Sequence, residues 1–339
     1  MSNSAGAAHG LVDEAYAALT PDHVIQAVES SGRRCDARVF ALNSYENRVY
    51  QVGIEDEAPL IAKFYRPGRW SDAQLREEHA FTRELAAAEL PVIAPLADAH
   101  GETLFRDGPY RFALFPRKGG QGLEAGDPEQ LYRMGLLLGR LHAVAASGTF
   151  QARPRLTAER YLDQPREAVL QLLPSHWLTA YQDVLAGIRH EVEASGVFDW
   201  PGLRCQGDCH PGNVLWTRDD GPWLLDFDDC QTAPAVQDLW MLLCGDERER
   251  RLQLDELLAG YETFRELDRR ELALIEPLRA LRMVHYMGWL AMRWQDPAFP
   301  SAFPWFGTEA CWSEHVQDLG RQLERLREQG RNDGWQSLN

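Results

Sequence analysis

"CQGDCHPGNVLW", residues 205–216, crowds an acid, an imidazole and an amide into a short loop with an apolar exit. Three chemistries compete for it. Zinc would find ligands in Cys205, Cys209 and His210, but structural zinc takes a second closely spaced pair and none follows. A reactive thiol at Cys209, next to His210, would need a depressed pKa, which a sequence does not show. The third reading is a catalytic loop, and it rests on spacing.

Asp208 precedes Asn213 by five residues, and Asn213 precedes Asp226 of "LLDFDD" by thirteen. This is the order of parts in a phosphoryl-transfer loop: an acid for the acceptor hydroxyl, then an amide and a second acid for magnesium across a short hairpin. The chemistry explains the choice of residues. Phosphoryl transfer asks for hard oxygen ligands that fix magnesium against the phosphates, while one carboxylate faces the nucleophile. Upstream, "LIAKFYR" sets Lys63 in a strand-like run, and Glu77 and Glu78 lie in the helical stretch after it. Four elements thus fall in order along the chain. "GDCH" also resembles the metal ligands of metallophosphoesterases, but after His210 only His285 and His315 remain, neither in a ligand motif of that class.

Composition bounds the rest. At 339 residues, with 45 % hydrophobic and 25 % charged side chains, the chain is long for one core and suits two lobes. Acidic residues outnumber basic ones 51 to 35, a formal charge of −16, which argues against nucleic-acid binding and leans weakly toward cationic substrates. The first residues lack a basic start and an apolar core, and no apolar run approaches the ~18 residues that span a bilayer, so the expectation is a cytoplasmic protein with no membrane partner. Six scattered cysteines are expected to be free thiols.

Residues 1–19 are expected to be a flexible segment, 20–117 an N-lobe, and 118–339 a helical C-lobe carrying the catalytic loop 206–229. Thr20-Pro21 opens a helix, strands run through "ARVFALNS", "NRVYQVGIE" and "APLIAKFYR", and Ser71-Asp72 opens a second helix. A hairpin turns at Asp107-Gly108, and a hinge is expected near Phe115 to Arg117. Beyond Asp127 the spacing predicts helices over 128–146, 158–195, 247–266, 270–293 and 309–329, interrupted by a small sheet-bearing insert at 203–230.

Together "LGRLH" at 138–142, "GDCHPGNVL" at 207–215, "LLDFDD" at 224–229 and "PAVQDLWML" at 234–242 resemble the aminoglycoside phosphotransferase and choline kinase-like family. "LNSYENRVYQ", "AKFYRPGRW", "EEHAF" and "RWQDPAFPSAFPW" are similar to a bacterial serine/threonine protein kinase branch of it. The resemblance implies an α+β, bilobal protein-kinase-like fold: a small antiparallel N-lobe sheet and a larger, mainly helical C-lobe. It also implies ATP as co-substrate, Mg2+ as cofactor, a monomer, and phosphorylation of serine or threonine on proteins, itself included, in a stress response. By the same motifs Asp208 is the proton acceptor, Asn213 and Asp226 hold magnesium, and Ser44 contacts the nucleotide phosphates. Lys63 would bind the phosphates and pair with Glu78, preferred to Glu77 because it shares a helix face with Phe81 and Leu85. Two features depart from the wider pattern: Gln206 stands where the family commonly has histidine, and the polar 43–48 turn contains no glycine-rich loop. A small-molecule kinase of the aminoglycoside or choline type, with the tryptophans near 289–312 as an aromatic wall, and an inactive nucleotide-binding regulator stay open.

Overall fold

The computed structural model describes Tyr16 and residues 19–331, so most of the segment expected to be flexible lies outside the described residues. Tyr16 and Leu19, which belong to it, are buried, and the Tyr16 hydroxyl donates to the Phe64 carbonyl at 3.2 Å. The chain divides into two compact units. Of the described residues, the first holds those up to 125 with 150–153 and 210–230, and the second holds 126–149, 154–209 and 231–331.

In the first unit, Thr20 caps helix α1 (Pro21–Ser30), its hydroxyl accepting from the His23 amide. Five antiparallel strands follow: β1 (Cys35–Leu42), β2 (Arg48–Ile54), β3 (Leu60–Phe64), β4 (Phe105–Asp107) and β5 (Tyr110–Pro116), in the order β1-β2-β3-β5-β4. Val24, Ala27 and Val28 of α1 pack on Val52, Ile54, Ala62, Phe64, Phe112 and Leu114 of the sheet. Because strand side chains alternate, Ala62 and Phe64 on this core face turn Ile61 and Lys63 to the other. Helix α2 (Asp72–Ala87) begins with a capping box between Ser71 and Gln74. It buries Leu75, Glu78, Phe81, Thr82 and Leu85, a stripe at helical spacing.

A second sheet in this unit joins β6 (Gln121–Gly122) to the hairpin of β8 (Val214–Thr217) and β9 (Gly221–Leu224). Gly221, at φ +78°, closes the turn between β8 and β9. The Pro91–Ile93 segment bonds to Leu224 through Leu224 N to Pro91 O at 3.0 Å and Ile93 N to Leu224 O at 2.9 Å. These long-range bonds give 210–230 to the first unit, where a reading of contiguous lobes had assigned it to the second.

The second unit is built from helices: α3 (Pro128–Ala145), α4 (Gln164–Leu170), α5 (Leu178–Ala194), α6 (Glu247–Tyr261), α7 (Ile275–Arg293), α8 (Ala298–Ala302) and α9 (Glu309–Arg331). The expected helical stretch 158–195 is broken into a π-turn at Glu159–Asp163, then α4, then α5, with Pro174 in the break. Strands β7 (Leu203–Cys205) and β10 (Gln231–Ala233) pair with each other, so the strand pieces around 203–230 form two sheets in place of one insert. Helices α3 and α6 touch along glycines: a Cβ on Gly135 would sit 2.0 Å from the Leu257 carbonyl, and one on Gly260 2.0 Å from that of Tyr132. Among the described residues no helix is long and apolar enough to cross a membrane.

Candidate active site

A cavity of about 300 Å³ in the first unit is lined by Ser44, Val49, Ile61, Lys63, Glu78, Phe115, Lys118, Leu215, Asp226 and Phe227, among others. Four residues singled out in the sequence, Ser44, Lys63, Glu78 and Asp226, therefore share one wall-to-wall space. The alternation of β3 carries Lys63 there, and the apolar stripe of α2 carries Glu78. Asn213 is buried next to it: its carbonyl accepts from the Leu225 amide at 3.1 Å, one residue before Asp226. Asp226 itself adopts φ +55°, a left-handed conformation unusual for a side chain other than glycine.

The expected Lys63–Glu78 pair is not formed. Lys63 Nζ donates to Asp226 Oδ1 at 2.8 Å and to Asp228 Oδ1 at 2.5 Å. Two carboxylates brought together by the tight Asp-Phe-Asp turn outcompete one for a single ammonium. Burial works against charge on Lys63, but Asp226 and Asp228 outweigh it and hold its pKa above the ordinary lysine range. Glu78 Oε2 has no hydrogen-bond partner, and burial, with the Asp228 charge, pushes its pKa up to about 8. Glu77 does something else: its carboxylate accepts from the amides of Gln151, Ala152 and Arg153 at 2.6, 2.7 and 2.6 Å.

Asp228, two residues after Asp226, has the contacts of a brace. Besides Lys63 it accepts from Asn47 Nδ2 at 2.6 Å and Arg69 Nη1 at 3.4 Å. Arg69 also grips both oxygens of Asp229 at 2.8 Å. Burial would raise the Asp228 pKa, yet Lys63 and Arg69 hold the carboxyl below its usual range. Asn47 Oδ1 in turn accepts from the Arg66 amide at 3.1 Å, so the polar turn bearing Ser44 is fastened to the Asp226 segment. Neither Asn47 nor Arg69 was singled out from the sequence. Their signal was a buried third carboxylate, Asp228, in need of partners.

In the second unit, Asp238 accepts from the amides of Gln206 at 2.7 Å and Gly207 at 2.8 Å. Its carboxylate is oriented by His142 Nε2 at 3.0 Å, and His142 Nδ1 meets the Tyr261 hydroxyl at 2.9 Å. Gly207, at φ +88°, supplies the turn, and Gln237 Nε2 donates to its carbonyl at 2.9 Å. Gln206 Oε1 accepts the Asp208 amide at 2.8 Å, so the amide side chain braces the loop from within. Asp208 Oδ1 lies 2.5 Å from Nη1 of Arg282 on α7, a partner no local motif announces.

The competing readings of the loop lose their geometry. Cys205 and Cys209 are fully buried, and burial raises both thiol pKa values well above normal, the opposite of activation. His142, Cys205 and Asp238 have ligand atoms within 4.8 Å of one another, but their hydrogen bonds to Tyr261, to the Ala233 carbonyl and to the loop amides engage them. His210 Nδ1 accepts from the Gly212 amide at 3.0 Å. All six cysteines are free. For a divalent cation, Asn213 and Asp226 offer the hard oxygen donors that magnesium or calcium take, and Asp226 keeps 43 % of its side chain exposed.

Comparison with known proteins places this geometry. The phosphotransferase enzyme family matches residues 38–275. Stress response kinase A of Salmonella choleraesuis is 43 % identical over 315 residues, covering 92 % of this chain and 95 % of that protein. Serine/threonine protein kinase RdoA of Salmonella typhimurium is 42 % identical over the same coverage. Among solved structures, amicoumacin kinase hAmiN, in complex with AMP-PNP, Ca2+ and Ami, superposes with a TM-score of 0.70 at 18 % identity, covering 90 % of this chain and 93 % of that one. The α+β kinase-like fold with its antiparallel N-terminal sheet is thereby established, and this chain belongs to the phosphotransferase enzyme family, in the branch of the stress response kinases.

Proposed function

We propose that this protein is an ATP- and magnesium-dependent kinase that phosphorylates serine and threonine hydroxyls of proteins, its own included, in a bacterial stress response. The observation that carries the reading is the cavity shared by Ser44, Lys63, Glu78 and Asp226, together with 43 % identity to a stress response kinase. Lys63 and the polar turn bearing Ser44 would hold the nucleotide phosphates, Lys63 exchanging one of its carboxylates for phosphate oxygen. Asn213 and Asp226 would hold magnesium, which would supply charge neutralisation on the polyphosphate. Asp208 orients the acceptor hydroxyl and takes its proton as the new O–P bond forms and the bond from the γ-phosphorus to the bridging oxygen breaks, releasing ADP. Asp208 and Asn213 are five residues apart in one loop.

The test is transfer of label from magnesium-ATP to the protein alone, to generic protein acceptors, and to aminoglycoside or choline acceptors, beside Asp208→Ala. Label on protein, absent in Asp208→Ala, is the expected result. Label confined to a small molecule would replace this reading with a small-molecule kinase, and nucleotide binding without turnover with a regulator.

A further inference from the structure

One face of α7 begins at the residue paired with Asp208. Arg282, Tyr286, Trp289 and Arg293 recur at i, i+4, i+7 and i+11, a single helical stripe. Tyr286 stacks on Trp289 with ring centroids 5.8 Å apart and planes 21° apart, and Trp305 lies 6.5 Å from Tyr286 at 25°. Trp305 is 44 % exposed. The Arg293 guanidinium lies 5.7 Å from the centre of the Trp289 ring, so a cation of the protein already occupies the ring face that an ammonium substrate would need. At the other end, Asp208 is the ion-pair partner of Arg282 among the described residues, with Arg282 Nη1 facing Asp208 Oδ1. The Arg282 side chain remains 36 % exposed.

We propose that Arg282 selects the acceptor: it receives a carboxylate beside the phosphorylated hydroxyl, and the aromatic stripe that follows it receives the neighbouring peptide, so the substrates are acidic serine or threonine segments. Asp208 alone would attract cations, and the guanidinium against it cancels that attraction and repels an amine. The length of the stripe suits a peptide, because eleven helical residues rise ~16 Å, the reach of about five residues of extended chain. A peptide so placed has its hydroxyl at Asp208 and anionic groups beside arginines, while the stacked rings take its apolar area. This deepens the protein-kinase reading and rests on Asp208 acting on the acceptor.

The experiment measures KM and kcat for serine peptides with acidic, neutral or basic flanks, using wild type, Arg282→Lys and Arg282→Glu, with nucleotide affinity as the control for folding. Wild type is expected to favour the acidic over the basic peptide about tenfold in KM, the size of one charge-assisted contact. Arg282→Lys keeps that order and Arg282→Glu reverses it. An unchanged order in Arg282→Glu, or an equal fall of kcat on all three peptides, would mean that Arg282 only positions Asp208 and overturns the proposal while leaving the kinase reading intact. Transfer to no peptide, with Asp208-dependent transfer to a cationic small molecule, overturns both.

Discussion

Gln206 stands where the resemblance leads one to expect histidine, and its side chain accepts a hydrogen bond from the Asp208 amide at 2.8 Å. Truncating it orphans a partly buried amide, so Gln206→Ala is expected to cost about 1 to 3 kcal/mol and to lower kcat, checked by urea denaturation and steady-state kinetics. A second residue-scale prediction concerns His79, held neutral between the Tyr65 hydroxyl at 2.7 Å and Thr103 at 2.8 Å. Burial, with Lys63 adding to it, pushes its pKa from 6.5 down to about 3. The unfolded chain therefore takes up a proton near pH 6.5 that the folded protein refuses until about pH 3. Stability from this residue is present above pH 6.5 and lost as pH falls, by about 2 kcal/mol between pH 7 and 5. Denaturation at the two pH values should reveal that loss, and His79→Gln should flatten it.

At the scale of elements, the contact of α3 with α6 sets the catalytic loop. A Cβ on Gly139 would lie 2.3 Å from the carbonyl of Tyr261, whose hydroxyl meets His142, which orients Asp238, which holds the amides of Gln206 and Gly207. Backbone atoms cannot yield as a flexible side chain would. Gly139→Val is accordingly expected to cost about 3 kcal/mol and to lower kcat together with stability, read from the urea midpoint and from turnover at saturating ATP. The helices themselves were legible, since α3, α6, α7 and α9 follow apolar periodicity. Their crossing was not, because Gly135 and Gly139 gain meaning only from Leu257, Gly260 and Tyr261, which come much later in the chain.

At the scale of the molecule, nucleotide binding should appear as stability. Magnesium-ATP at a hundred times its dissociation constant adds about 2.7 kcal/mol to a protein that binds it only when folded. A thermal scan should show the upward shift with magnesium-ATP, a smaller one with ATP and chelator, and little in Lys63→Ala. Loss of Lys63 also leaves Asp226 and Asp228 without their shared ammonium, so the variant's own Tm is expected to fall.

The order Lys63, Glu78, Asp208, Asn213, Asp226 was readable from the chain alone because each residue sits in a local pattern. Strand alternation, helix stripe and loop spacing depend on near neighbours, and near neighbours are what a sequence records. Which charges meet was decided by the tertiary structure. Lys63 lies against Asp226 and Asp228 instead of Glu78, Asn47 and Arg69 brace Asp228, and Arg282 reaches Asp208 from a helix far along the chain. Buried charges take whichever partner packing brings within a few ångströms, and that choice is a property of the folded core rather than of any motif.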